Sequence, residues 1–354
     1  MTRPTASARV TLLDVAERAG VSRTTASFVL TGRRDMRISA DAEERVQRAS
    51  RELGYRPSLL ARSLRTNQSQ TLGLISDVIA TEVFAGEMVR GSLATALLHD
   101  HLLFIGETEG NLDVERRVIN GMVDRGVSGF IYASMYTRRV RLSKTLRSQP
   151  LILLNCTTSA PGVSTVIPDE REAGRAATRA LVRFGHREGI VLVGEQPRTT
   201  FAAGERRFGV NEILDQQGTQ LSASIDTIWW PEPAFHAVRE YLSAGHRPTA
   251  FICMNDRIAM GTYQAAAEFG LAIPRDLSVV SFDDSDLAAW LRPRLTSVAI
   301  PHFELGRRAV EILLAVEKPA GVQRIPMALR DRESIGPPAR NRATQRRTTP
   351  MKRP

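Results

Sequence analysis

Apolar residues recur along this chain in two distinct rhythms. In the first sixty-six residues they follow helical spacing. Leu12, Val15, Ala16 and Ala19 fall on one face of a first helix. Thr11-Leu12-Leu13-Asp14 opens it with the form of a capping box, and Gly20 closes it. Ser22 caps a second helix that runs to about Leu30, with Ala26, Val29 and Leu30 inward. Ser39 caps a third that runs to Leu53, with Ala42, Val46, Ala49 and Leu53 inward and Gly54 at its end. Two short helices joined through Gly20 and Val21 make a helix-turn-helix pattern, which by itself is also what an ordinary α-hairpin looks like. After Pro57, the segment 58–65 can form a helix of two turns at most, well short of the ~12–15 residues a helix needs to be stable alone in water.

Beyond the polar linker Thr66–Gln70 the rhythm changes to short apolar runs separated by helix-length segments. The runs are Thr71–Val78, Leu102–Glu107, Val127–Ala133, Leu151–Asn155, Ser164–Ile167, Gly189–Gly194, Ile225–Trp230, Ala250–Met254, Ser278–Phe282 and Thr296–Ile300. Strand and helix in alternation predict parallel sheets covered by helices on both faces. Ten strands are too many for one tidy sheet, so the body is expected to form two doubly wound α/β lobes. Ligands of such sheets bind beyond the carboxyl ends of strands. Asp77, Asn155, Asn255-Asp256 and Asp283-Asp284 lie there, although each could equally cap the next helix.

Charge sharpens this division. Residues 1–66 carry 13 arginines against 7 acids, residues 330–354 carry 8 basic residues against 2 acids, and the stretch between carries 27 against 29. A net charge of +10 therefore sits at the two ends of a nearly neutral body. A short basic module beside a neutral domain suits nucleic-acid binding, though charge alone also fits ends that are merely solvated. Arginine outnumbers lysine 45 to 3 along the whole chain, so that bias says nothing about phosphate. No apolar run is long enough for a membrane span, and residues 1–7 lack an apolar leader core, which points to a cytoplasmic protein. Cys156 and Cys253 sit in apolar runs and read as buried thiols. There is no Gly-x-Gly fingerprint, Walker loop, Gly-x-Ser-x-Gly elbow or His-Glu-x-x-His pair. His99 and His101 flank Asp100 in what reads as a surface turn. No enzyme, metal site or cofactor is expected.

The residues Val10-Thr11-Leu12-Leu13-Asp14-Val15-Ala16-Glu17-Arg18-Ala19-Gly20-Val21-Ser22 resemble the opening signature of the lactose-repressor (LacI/GalR) family of transcription regulators. Ile38-Ser39, Glu43-Glu44-Arg45-Val46, Leu53-Gly54-Tyr55-Arg56-Pro57 and Ala61-Arg62-Ser63-Leu64-Arg65-Thr66 continue the likeness, which extends over about 330 of the 354 residues. It implies a helix-turn-helix domain at 9–56, a hinge helix and linker at 57–70, a two-lobed periplasmic-binding-protein-like body at 71–335 and a disordered basic tail at 336–354. The helix opening at Ser22 would enter the major groove, with Arg23, Thr24 and Phe28 nearest the bases. Ser22, Thr25 and Ser27 would face phosphates, and Thr11 and Ala61 count among the DNA contacts. Leu64 falls where relatives wedge a leucine into the minor groove and kink the duplex. Phe28 departs from the arginine of many relatives; it either presses on a thymine methyl or packs inward. Ser58 replaces an asparagine of many relatives.

In the body the likeness assigns a small effector between the lobes to Arg206, Asp283, Asn155, Asn255, Phe84 and Trp229, with Trp230 as the alternative if the loop shifts. Thr81-Glu82-Val83-Phe84 stands where relatives carry Asn-Pro-Phe-Phe, so the first-lobe wall is altered. Aromatic faces with a few polar groups suit a sugar or a nucleobase-like ligand without choosing between them. The expected protein is a homodimeric, effector-controlled repressor of a pseudo-palindromic operator. An activator or dual regulator of the same family is the alternative, and a sugar-binding protein without a DNA role is a more distant one. The tail has no leucine heptads, so no tetramerising coiled coil is expected.

Overall fold

The computed structural model describes residues 10–31, 38–55, 69–79, 86–195, 201–317, 319 and 321–339. The segment expected to form a hinge helix, with Ala61 and Leu64, the stretch with Phe84, and the residues beyond 339 lie outside the described residues. The chain divides after Gln70 into two units, Met1–Gln70 and Thr71–Pro354.

The first unit is a three-helix cluster: α1 (Leu12–Ala19), α2 (Arg23–Leu30) and α3 (Ala40–Glu52). Its capping chemistry is as expected. The backbone amide and hydroxyl of Thr11 donate to the Asp14 carboxylate at 2.7 and 2.9 Å, while Asp14 N donates back to Thr11 Oγ1. These hydrogen bonds hold the Asp14 carboxyl below its ordinary range. Gly20 turns the chain with φ of 64°, in the left-handed region. Arg45 Nη1 then donates to the Ala19 carbonyl at 2.7 Å, tying α3 to the exposed end of α1. Val15, Ala16, Ala19, Ala26, Val46 and Ala49 form the core. Val29, Leu30 and Leu53 only lean against its rim.

The second unit holds two six-stranded sheets. The first has the order β11-β5-β4-β3-β1-β2, built from β1 (Thr71–Ser76), β2 (Leu102–Glu107), β3 (Gly129–Arg139), β4 (Leu151–Thr157), β5 (Ser164–Pro168) and β11 (Val322–Ile325). The second has the order β12-β10-β9-β8-β6-β7, from β6 (Ile190–Glu195), β7 (Ala223–Asp226), β8 (Ala250–Cys253), β9 (Ser278–Asp283), β10 (Thr296–Ala299) and β12 (Ala328–Arg330). All pairings are parallel except that of β10 with β12. Strands β1, β5 and β8 are buried along their whole length, as an apolar run covered on both faces must be.

Helices α4 (Gly86–Leu98), α5 (Leu112–Asp124) and α6 (Lys144–Arg147) belong to the first lobe. Helices α7 (Glu170–Arg183), α8 (Phe201–Gln216), α9 (Pro231–Ser243), α10 (Asp256–Glu268) and α11 (Asp286–Trp290) belong to the second. The last, α12 (His302–Leu314), returns to the first lobe, where Leu305, Ala309 and Val310 pack with Leu72, Leu74 and Ile131. The chain thus passes between the lobes three times: after Pro168, after Ala299 and after Ile325. In each lobe two helices cross at glycine. A Cβ on Gly91 would strike the Phe303 carbonyl and one on Gly306 that of Met88. In the second lobe Gly174 and Gly209 play the same part against the carbonyls of Arg206 and Arg171.

Three expectations need correction. The run Ile225–Trp230 is strand only to Asp226. Trp230 instead precedes Pro231, and proline at the first position of α9 starts a helix there. β11 and β12 were not foreseen, because Val-Gln-Arg-Ile and Ala-Leu-Arg are too short and too polar to read as buried strands. The body does not end at Ile335: Gly336 N donates to Ser278 Oγ, and its carbonyl accepts from His186 Nε2 at 2.9 Å. Burial drives the His186 pKa down. Both cysteines are free and buried, and burial pushes each thiol up to about 12.

Candidate DNA-reading helix and interlobe site

On α2, Ser22 is the N-cap. Its Oγ accepts from Thr25 N at 3.0 Å and meets Thr25 Oγ1 at 2.8 Å. Arg23 and Thr24 are exposed at the head of the helix; Thr25, Ser27 and Phe28 are half-buried. The amides at a helix N-terminus favour an anion, and Arg23 and Thr24 are exposed beside them. Thr11 is engaged with Asp14 in its capping box. Phe28 is neither fully inward nor fully outward.

The second constellation gathers at the carboxyl ends of strands in the second lobe. Arg206, on α8, is 1% exposed, the largest fully buried side chain described. Its Nε donates to Glu170 Oε2 at 2.6 Å and its Nη2 to Glu170 Oε1 at 3.3 Å. Nη1 donates to the Met254 carbonyl at 2.5 Å. The guanidinium lies over the Phe282 ring at 4.5 Å and 5.7 Å from the Trp229 ring. Asp283 Oδ1 stands 3.8 Å from Nη2. Burial works against the Arg206 charge, and the nearby Glu170 and Asp283 more than restore it.

Asp283 ends β9 with φ of 105°, a strained backbone for any residue with a side chain. Burial pushes its carboxyl up to about 8, against the pull of Arg206. Asp256 lies beneath, fully buried. Its Oδ1 accepts from Ser281 and Ser297 hydroxyls at 2.5 and 2.8 Å; its Oδ2 accepts from the Ser285 amide and hydroxyl at 2.7 and 2.8 Å. Burial still raises its pKa against those four bonds. Trp229 reaches in to donate from Nε1 to the Gly194 carbonyl at 2.8 Å, whereas Trp230 stays outside with Arg257 at 4.4 Å. Of the two tryptophans, Trp229 is the one beside Arg206.

Asn255 caps α10, accepting from Ile258 N at 2.8 Å. Asn155 braces the bulge in β3. Its Nδ2 donates to the carbonyls of Ser134 and Met135, both at 3.0 Å, and its Oδ1 accepts from Thr137 Oγ1 at 2.6 Å. Those bonds use both amide hydrogens, so Asn155 shapes the end of the first sheet more than it offers donors to a ligand. Asp77 does similar work, accepting from Val78 N and Met135 N and pairing with Arg138 at 2.9 Å. Asp284, just past β9, pairs with Arg332, just past β12. Sequence reasoning brought Arg206, Trp229 and Asp283 together but missed Glu170. Glu170 lies in the first turn of a helix, where an acid is unremarkable, and nothing in spacing links it to a partner 36 residues on.

A helix-turn-helix unit followed by a two-lobed α/β body with a polar cluster at strand ends defines a ligand-responsive DNA-binding regulator. Residues 11–58 match the profile of bacterial regulatory proteins of the lacI family, and residues 178–335 that of the periplasmic binding protein-like domain. The HTH-type transcriptional repressor PurR of Erwinia tasmaniensis is 31% identical over 309 residues, 86% of this chain and 89% of that protein. PurR of Salmonella arizonae is 32% identical over the same shares. Among solved structures, the Lac repressor dimer bound to operator and the anti-inducer ONPF matches with a TM-score of 0.76 at 26% identity, over 93% of this chain and 99% of that one. A putative regulator from Rhizobium etli matches with 0.67 at 29% identity, over 76% of this chain and all of that one. The chain belongs to the lacI family of bacterial regulatory proteins.

Proposed function

We propose that the protein is an effector-controlled repressor that binds a pseudo-palindromic operator as a homodimer in the cytoplasm. The observation that carries this reading is the pairing, in one chain, of an α2 head presenting Arg23 and Thr24 with a cluster of the buried Arg206 and the partly buried Asp283 and Trp229 at strand ends. Arg23 and Thr24 read bases, while Ser22, Thr25 and Ser27 set the register on phosphates. Arg206, Asp283, Trp229 and Asn255 receive the effector. A small uncharged ligand with several hydrogen-bonding groups, a sugar or a nucleobase, fits that lining. The Lac repressor structure noted above holds operator and a small ligand together, which supports the same coupling here.

A second copy of the chain has a surface to meet. Leu97 and Leu98 on α4, and Leu102, Phe104 and Ile105 on the edge strand β2, are all exposed. An apolar patch around an unpaired strand edge is costly in a monomer and suits a symmetric partner. Ligand binding between the lobes would alter their angle, and with it the spacing of the two DNA-binding heads. A coupling of ~1–3 kcal/mol changes operator affinity roughly 5–150-fold. Footprinting on the promoter nearest its own gene tests the proposal. Protection of two half-sites about one helical turn apart is expected, and no protection at any salt concentration refutes it.

A further inference from the structure

The interlobe cluster carries its own counter-ion. Arg206 has five N–H groups; one edge and Nη2 serve Glu170, Nη1 serves the Met254 carbonyl, and Phe282 and Trp229 flank the ring plane. The Arg206 and Glu170 side chains are 2% and 3% exposed. On the Nη2 side the part-exposed Asp283 stands 3.8 Å away. Asp256 is a further acid nearby, already satisfied by three serines, and Arg257, over the Trp230 ring, lowers the Asp283 pKa through its charge. Arg206 therefore has a buried carboxylate partner of its own in Glu170.

We propose that Glu170 determines ligand class in this cleft: by taking up the charge of Arg206 inside the protein, it admits an uncharged, hydrogen-bond-donating effector and bars an anion. The inference rests on the reading of the cleft as the effector site. A carboxylate or phosphate on the ligand would have to displace Glu170 from a buried pair, leaving that acid unpartnered away from water. A hydroxyl or ring N–H leaves the pair intact and donates to Asp283.

The test uses inorganic sulfate as a probe on the full chain, titrated at constant ionic strength and read by thermal unfolding. Wild type and Asp283→Asn should show no saturable stabilisation, because Arg206 stays neutralised in both. Glu170→Gln should gain it, with apparent affinity roughly ten- to a hundredfold above wild type, the worth of a charge-assisted hydrogen bond. Adding Arg206→Met to Glu170→Gln should abolish the gain. Saturable sulfate binding by wild type or by Asp283→Asn overturns the inference, and both proteins report whether or not Glu170→Gln folds. Sulfate indifference of folded Glu170→Gln, or a response that survives Arg206→Met, overturns it equally. The assay contains no DNA, so its failure leaves the regulatory reading standing, and failure of the footprint leaves the charge result readable.

Discussion

Gly174 of α7 lies against the carbonyl oxygen of Arg206 on α8, so close that a Cβ would collide with it. The backbone of the proposed effector-binding arginine is thus seated on a glycine in another helix. Gly174→Ala must push α8 away and misplace the guanidinium. A loss of ~1–3 kcal/mol from overpacking is expected in chemical unfolding, together with weaker effector response in an operator-binding assay. Wild-type response in a destabilised variant would show that Arg206 tolerates the shift.

Asp283 titrates far above an ordinary carboxyl because burial disfavours its charge. A raised acid contributes stability that is full below its unfolded value and is lost as pH rises through the folded value. Asp283→Asn has no ionisation to lose, and asparagine tolerates a positive φ better than most residues. Its stability advantage over wild type should widen from about pH 4 to about pH 8 and then level off. A gap independent of pH across that window would show that Asp283 is ionised normally.

Arg23 and Ser22 separate two kinds of DNA contact. Arg23→Ala should cost ~1–3 kcal/mol and relax discrimination at one operator position. Ser22→Ala should weaken all sequences alike, and should also loosen α2, because Ser22 caps it. Competition binding with single-base operator variants distinguishes the two, and equal losses on every sequence for Arg23→Ala would remove it from base readout.

Phe104 lies on the edge strand of the first sheet and is 42% exposed. A charge there, in Phe104→Glu, should prevent the proposed dimer from forming, as followed by sedimentation velocity. Operator affinity should fall with it, since two heads bind cooperatively. A variant that still sediments as a dimer would move the interface elsewhere.

Asp14 is held below its ordinary pKa by Thr11, so its contribution is present at neutral pH and lost as pH falls through the lowered value. Thr11→Ala should make α1 less stable at pH 7 and narrow that difference towards pH 2–3, read by helix content of the isolated head or the full chain.

Much of this architecture was legible because its signals are local. A capping box, a left-handed glycine and a serine cap mark α1 and α2 without help from distant residues. Buried parallel strands announce themselves as continuous apolar runs. What stayed hidden depends on contacts between distant parts of the chain. Val322–Ile325 and Ala328–Arg330 become strands only because edges of existing sheets accept them. Asn155 looked like a ligand residue by its place after a strand, yet the bulge in β3 claims its amide. Glu170 was invisible because its meaning is its partner, whereas Trp229, preferred over Trp230 on the resemblance, is the ring beside Arg206.

The return of α12 and β11 to the first lobe has a consequence for biosynthesis. Neither lobe is a contiguous stretch of polypeptide, so a ribosome delivers the second almost whole before the first can close. Until residue 314 has cleared the exit tunnel, Leu72, Leu74 and Ile131 lack the helix that covers them. Nascent chains interrupted before that point would present an uncapped oily sheet, a natural client for chaperones and proteases, and no truncation at the boundary between the lobes could yield a self-sufficient half.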